Sequence, residues 1–553
     1  MKRFASPSRH LAIVCGTLLL LTALWLLVWK KPLGRDNWFI TPHALWPPST
    51  FVFPVCVLLL CGGFAAMSAY DRFRRAKSRR EERTSLRMSL GALMLLATLW
   101  PWSLLGPRAI SGVYLVSATW SDISNQYFST AYRIQDARDF TRNYETQQRN
   151  YDITKSHVAT HPPGAVLFYY GARKIYEHVP LIHAAFTALA PGVTAASTSS
   201  VAQTIRGQLA RSNAASPHAP PFSDDAVGSA IWCAWLLSLC VGATVPAVYK
   251  LAAGASSTRL DDERGREKRG LMGAALFALS PAAMLFAFTL DALMMCLVAW
   301  SLVLVARRVT SGATVGIGSA VLAGALIGIA SFVSFGALAV WGLLIFAFVI
   351  GFGWRSFLTT PQWIVTDVLS RRKPAVHRPF SDLLWLVLGF AVVWIVLTII
   401  FPMQPQDIYN RAMEAHHAAT LTTRSHAGWA LLNLVTFALF CGWSLTVGVL
   451  SGAWTQLRNW RARQANVWNA ASVLGVASLL LCVALSLSGN VRGETERLWL
   501  FLLPPLCAFA ASQYLDNEYS NRGVLRFLML LVGAQAAQTL LMAATLAPLI
   551  RAY

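Results

Sequence analysis

The stretch "DRFRRAKSRREERTSLR" (residues 71–87) places eight Lys/Arg in seventeen positions, between the apolar runs 50–70 and 88–105. Uncharged runs of about 18–25 residues are long enough to cross the hydrocarbon core as helices. A basic segment between two of them belongs on the cytoplasmic side, the side that Lys and Arg favour. That puts the N-terminus, with Lys2, Arg3 and Arg9, in the cytoplasm as well. Lys30, Lys31 and Arg35 then fall outside, three charges against eight.

Working outward, the whole chain reads the same way. Of its 553 residues, 55% are hydrophobic and 13% charged, against roughly 25% charged in soluble chains. Mean hydropathy is +0.49. The first apolar run (11–28) is long and a second follows it, so it reads as an uncleaved span rather than a signal peptide. The net charge of +22 sits in short loops, where it orients helices and meets anionic headgroups; membrane lipid, not nucleic acid, is its partner. All nine cysteines lie in apolar runs without metal-ligand spacing, which makes them small core side chains.

Alternating sides from residue 88 predicts an all-α, polytopic transmembrane protein of about thirteen spans, multi-pass in the inner (plasma) membrane, N-terminus cytoplasmic. Residues 1–87 hold two spans and the basic loop; 88–549 form the main unit. Residues 106–225 make a long outer loop, 226–249 a span, and 271–306, with Asp291 its single charge, two short spans. Spans follow at 313–330, 333–352, 382–401, 429–451, 470–487, 498–514 and 526–549, with outer loops at 402–428 and 488–497. Segment 164–194 either lies flat on the outer surface or dips in.

This threading collects the costly ionisable residues on the outer face, where such groups are functional candidates. In residues 119–157, aromatic and apolar residues recur at about helical spacing, which predicts an interfacial amphipathic helix with Trp120, Tyr127, Phe128 and Tyr132 at headgroup level. Asp136 and Asp139 have Arg133 and Arg142 three residues away, spacings that pair without any function. Asp122 has no basic residue within a turn and is either an N-cap or a reactive carboxylate. In "ATHPPGAV" (159–166) the prolines predict an extended turn, Gly164 frees the backbone, and His161 is either part of that turn or a rigid hydrogen-bonding group. Asp291 opens a helix, where a carboxylate is favourable in any case. "NVRGETERLWLF" (490–501) holds Arg492, Glu494, Glu496 and Arg497, whose spacing allows self-pairing; two outer arginines also suit a lipid-linked phosphate. "EAHHAATLTTRSH" (414–426) reads as plain loop, and P-loop and Rossmann patterns are absent.

The order of these features resembles the GT-C superfamily of polytopic glycosyltransferases, which includes protein O-mannosyltransferases, aminoarabinose transferases and arabinofuranosyltransferases. The resemblance rests on a long outer loop with an Asp near its start, the HPP turn, the hairpin "ALSPAAMLFAFTLDAL" (278–293) and "GETERLWLFLLPP" (493–505), and covers most of 88–549. It implies transfer of a hexosyl or pentosyl group from a polyprenyl-phosphate donor to a lipid or glycan acceptor at the outer leaflet. By position Asp122 would be the catalytic base, with Asp136 or Asp139 in reserve. Arg492 and Arg497 would meet the leaving phosphate, with Glu494 and Glu496 beside them, and His161 and Asp291 would shape the sugar or acceptor pocket. A divalent cation is compatible with these carboxylates, though no metal ligands are assigned. Two spans precede the usual start, and the customary acidic pair is reduced to Asp122. The alternatives are a transporter or flippase for a lipid-linked saccharide, a glycan ligase or polymerase, and an inactive scaffold of the same fold.

Overall fold

The computed structural model describes residues 7–36, 38–42, 45–74, 78–105, 126–150, 157–188, 198–199, 202–203, 223–254, 263–311, 316–353, 377–462, 468–515 and 521–546. These residues are almost entirely helical; the one sheet is a hairpin, Leu33–Arg35 paired with Trp38–Ile40. Six helices among them are long and apolar enough to cross a membrane: His10–Trp29, Pro48–Tyr70, Asp224–Ala253, Asp382–Ile400, Ala470–Ser488 and Leu528–Thr545. Shorter apolar helices run Leu290–Ala306, Ile317–Val333, Phe335–Gly351 and Leu500–Leu515. The membrane character of the chain rests on these elements.

Small residues set how closely the helices approach, as expected where apolar surface alone supplies no preference between helix and lipid. A Cβ at Gly324 would overlap the Leu386 carbonyl, and one at Gly389 the Val321 carbonyl, so Ile317–Val333 and His377–Ile400 touch backbone to backbone.

The predicted straight span 429–451 is broken. Helix His426–Cys441 and helix Trp443–Arg461 meet at 117°, at Gly442. Gly442 has φ +90°, a conformation that residues with a Cβ adopt only under strain. Helix Asn521–Thr545 satisfies the carbonyls the break exposes: Gln535 donates to Cys441 O (2.6 Å) and Gln538 to Leu439 O (2.8 Å). A second break lies alongside, where Thr539 donates to Leu279 O and Ser280 to Cys441 O. Irregular backbone inside an apolar bundle persists only with such partners.

Helix Arg79–Ser103 spans about 38 Å at 1.5 Å per residue and so defines two ends. At its start, Arg72, Glu82, Arg264 and Glu267 form one ionic cluster. Trp102, near its other end, joins an aromatic core with Tyr127, Phe128, Tyr169 and Phe288. The amphipathic-helix expectation is corrected here. Residues 127–150 form three short helices, Tyr127–Arg133, Ala137–Arg142 and Tyr144–Asn150, and Tyr127 and Phe128 are buried in protein rather than presented to headgroups. The cause is aromatic packing against helix Gly164–His178, with Phe128 edge-on to Tyr169. That helix carries the buried Arg173, whose guanidinium donates to Tyr132 O and Ile134 O, and it is not among the candidate spans.

Candidate functional site

Four parts of the chain meet at the Trp102 end. They are the start of helix Leu290–Ser311, the Val333–Ser334 junction, the helices and turn that carry Tyr127, His161 and Tyr169, and the short helix Thr495–Leu498 that carries Arg497; Tyr127, His161, Tyr169, Thr289, Asp291, Ser334 and Arg497 line one cleft there. Its empty space is about 370 Å³ with the open mouth included.

Arg497 is the electrostatic hub. Its Nε lies 3.4 Å from Asp291 Oδ2 and its Nη2 2.9 Å from Glu494 Oε2, so the Glu494–Arg497 spacing does self-pair. Arg424 stands 3.6 Å from the other Glu494 oxygen. Burial pushes the Glu494 carboxyl up, but Arg497, His157 and Arg424 outweigh it and hold the group below its ordinary range. Glu496 is different: burial raises it to about 7, and its Oε2 is buried without a hydrogen-bond partner among the described residues.

Arg492 is not paired with Glu496, and it does not line the cleft. Its Nε donates to Gly489 O (2.9 Å) and its Nη1 to Leu421 O (2.7 Å) and Arg424 O, while Arg424 Nη1 donates back to Arg492 O. Asn433 adds Nδ2 to Val491 O (2.7 Å) and accepts from Gly493 N (3.0 Å). Arg492 therefore fastens the loop 421–424 to the loop that presents Arg497, which stands in place of direct phosphate contact.

The HPPG turn takes a different form from the expected one. His161 is extended, but Pro163 is already helical (φ −63°, ψ −19°) and caps helix Gly164–His178. Gly164 is needed for space, since a Cβ there would overlap the Phe332 carbonyl. His161 Nδ1 is 3.0 Å from both His157 O and Thr160 Oγ1, which fastens the ring to the turn that precedes it. Burial, with His157 and Arg497 nearby, lowers His161 to about 3; burial, with Arg497, lowers His157 to about 4. Both rings are neutral at ordinary pH.

The structure brings His161, Asp291 and Arg497 together, with Glu494 against Arg497. Asp136 and Asp139 are elsewhere: Asp136 caps helix Ala137–Arg142 by accepting from Arg138 N and Asp139 N, and Asp139 is exposed beside Arg142 at 3.3 Å. Asp122 and Trp120 lie outside the described residues. Sequence reasoning missed Tyr169, Thr289 and Ser334, and misplaced Tyr127. The available signal was the polar interruption of apolar runs: Ser334 separates Phe332–Val333 from Phe335, and Thr289 directly precedes Leu290–Asp291. Among the described residues no three His, Cys, Asp or Glu side chains gather so as to hold a metal ion. Compared with family models and with curated proteins, the sequence matches none.

Proposed function

We propose that the chain is a GT-C-type membrane glycosyltransferase of about thirteen spans, N-terminus in the cytoplasm, moving a sugar from a polyprenyl-phosphate donor to a lipid or glycan acceptor at the outer leaflet of the plasma membrane. The observation that carries this reading is the convergence of His161, Asp291 and Arg497, far apart in sequence, around one cleft where helices end. Every cleft segment falls in a loop or loop edge that the positive-inside threading places outside, and Arg72, Glu82, Arg264 and Glu267 all fall inside. A lipid-borne donor reaches such a cleft from the membrane plane.

In the proposed reaction the acceptor oxygen forms a bond to the anomeric carbon as the bond to the phosphate oxygen breaks. The hydroxyl proton goes to a carboxylate, and polyprenyl phosphate leaves with the bonding electron pair. Asp122 is the proposed base. It stands five residues before the cleft residue Tyr127, a separation that a chain spans in at most about 18 Å. Arg497 is the proposed cation facing the leaving group.

The test uses protein in nanodiscs with radiolabelled polyprenyl-phosphate sugars, comparing wild type with Asp122→Asn and scoring sugar released to water or moved to added lipid extract. Turnover that vanishes in the variant is the expected result; turnover that survives removes Asp122. One observation favours a second reading, transport of a lipid-linked saccharide: the broken helix at Gly442 resembles the discontinuous helices that line transporter sites. Movement of labelled lipid between leaflets without chemical turnover would establish it.

A further inference from the structure

Helix Gly164–His178 has three sides where a surface helix of a water-soluble protein needs two. Ala165, Tyr169, Ala172 and Tyr176 recur at helical spacing and are buried against the protein. Tyr170, Lys174 and Glu177 form a polar side, where Lys174 Nζ meets Glu177 Oε2 at 2.9 Å and lies over the Tyr170 ring. At its edge, His178 Nδ1 turns back to Lys174 O at 2.8 Å. Phe168, Ile175 and Val179 share the third side, which is apolar; Ile175 is 47% exposed and Val179 38% among the described residues.

The next helix, Pro180–Ala188, continues that third side. Its two polar side chains both face protein: His183 Nε2 lies 3.0 Å from Asp225 Oδ1, and Thr187 Oγ1 lies 2.7 Å from the Tyr176 hydroxyl. What it leaves outward is apolar, and Leu181, just past the corner between the helices, is 81% exposed.

The height of this corner is fixed by its neighbour. Helix Asp224–Ala253, one of the candidate spans, is about 45 Å long, about 15 Å more than the hydrocarbon core. The two shorter helices lean on its first turns. His183 meets Asp225, the Tyr176 phenol lies where a Cβ on Gly228 would be, Phe186 is edge-on to Trp232 at 5.3 Å, and Trp232 Nε1 donates to Ala172 O at 3.1 Å. Residues 225–232 cover about 10 Å of helix axis, which is the depth at which an interfacial helix buries its apolar face. The pair also begins beside the cleft, where Gly164 packs on the Phe332 carbonyl and Tyr169 lines the wall, so it starts and ends at one end of the bundle.

We propose that the corner formed by Ile175, Val179 and Leu181 is seated in the boundary between headgroups and acyl chains of the outer leaflet, dipping in without crossing. Membrane lipid is then a structural partner of the arm that carries Tyr169 to the cleft. Lys174 and Glu177 stay in water, and the lipid contact does not depend on what the cleft binds or transfers.

The test places a nitroxide on the full chain in phospholipid nanodiscs, at Leu181→Cys, Ile175→Cys and Glu177→Cys. The parent carries Cys56→Ser, which removes an exposed native thiol, and its labelled spectrum is subtracted. Collision rates are read with oxygen, which concentrates among acyl chains, and with a water-soluble nickel chelate. Oxygen is expected to dominate at 175 and 181 and the chelate at 177, a reversal within one turn of a single helix. Ile175→Cys carries the comparison if Leu181→Cys folds poorly. Chelate dominance at 175 and 181 would put the corner in water and overturn the inference. Poor access of both colliders at those sites overturns it too, since it means that protein, from this chain or a second copy, covers the corner.

Discussion

The two charged clusters at the ends of the bundle are built from the same residue types and do different things. In one, Arg72 is 2% exposed, donates Nε to Glu267 Oε2 at 2.8 Å, and also reaches Glu82 at 3.1 Å, which Arg264 meets from the other side at 2.8 Å. Two arginines and two glutamates are mutually paired, and the cluster ties together helices that begin or end there. In the other, Arg497 is shared between Asp291 and Glu494, the Glu496 Oε2 is unpartnered, and two phenols face an open cleft. A network whose charges face only one another holds a fold together, and one that lines an open cleft leaves groups to spend on a ligand.

The sharpest way to break that distinction is Arg72→Ala. It leaves Glu267 buried without its cation, while Glu82 keeps Arg264, and is expected to cost about 3–5 kcal/mol of stability, read by denaturant or thermal unfolding in detergent, with lipid affinity per folded molecule unchanged. Arg497→Ala is the counterpart. Its side chain is 19% exposed, so the stability loss should be smaller, about 2 kcal/mol, but binding of polyprenyl-phosphate lipids should collapse. If the two variants exchange these phenotypes, the assignment of a structural end and a binding end is reversed.

Acidity sharpens the comparison within the binding end. The unfolded chain takes up protons on its histidines near pH 6.5, whereas folding depresses His157 and His161 to about 4 and about 3. Below about pH 6.5 the unfolded state binds protons that the folded state refuses, so these two groups lower stability as pH falls toward 4. Glu496 has the opposite sign: raised from 4.5 to about 7, it keeps a proton that the unfolded chain releases, so its contribution is lost as pH rises through 7. Unfolding midpoints across pH 4 to 8 should therefore show Glu496→Gln removing a decline that runs from pH 4.5 to about 7, leaving only the histidine-driven loss toward pH 4. A profile unchanged by the substitution would place the titration elsewhere.

The smallest effect is expected at Asp36, in the turn of the N-terminal hairpin. Its Oδ2 accepts from Ser425 N (2.9 Å), Ser425 Oγ (3.2 Å) and Trp429 Nε1 (3.1 Å), which fixes the loop next to Arg424. Asp36→Asn should lower the unfolding midpoint slightly and weaken lipid binding modestly, because the hairpin supports the binding end from outside the cleft. Full loss of binding would make the first two spans part of the site itself.

Much of this was legible in the residues, for physical reasons that differ by element. Apolar run length announced an all-helical chain with membrane-length apolar helices, since burial in lipid imposes that length. Loop assignment grouped His161, Asp291 and Arg497 on one side before any contact was known. What sequence could not provide was side-chain commitment. Arg492 and Arg497 are equally arginine in the string, yet one is consumed by carbonyls of Gly489, Leu421 and Arg424 and the other faces the cleft. Tyr127 looked like a headgroup anchor because aromatic spacing is the same whether the ring meets lipid or the Tyr169 ring. The 117° break was hidden because Gly442 interrupts no apolar pattern; its cause lies 93 residues later, in Gln535.

That separation has a consequence for biogenesis. Residues 426–461 leave the ribosome well before Gln535 and Gln538 exist, so for that interval the Leu439 carbonyl lacks Gln538 and the Cys441 carbonyl has Ser280 but not Gln535. The nascent chain must either keep the segment unkinked or hold it near water until its last helix arrives. Completion of the fold is thus tied to completion of synthesis, and a chain cut short before Asn521 would lack the Gln535 and Gln538 donors to the break.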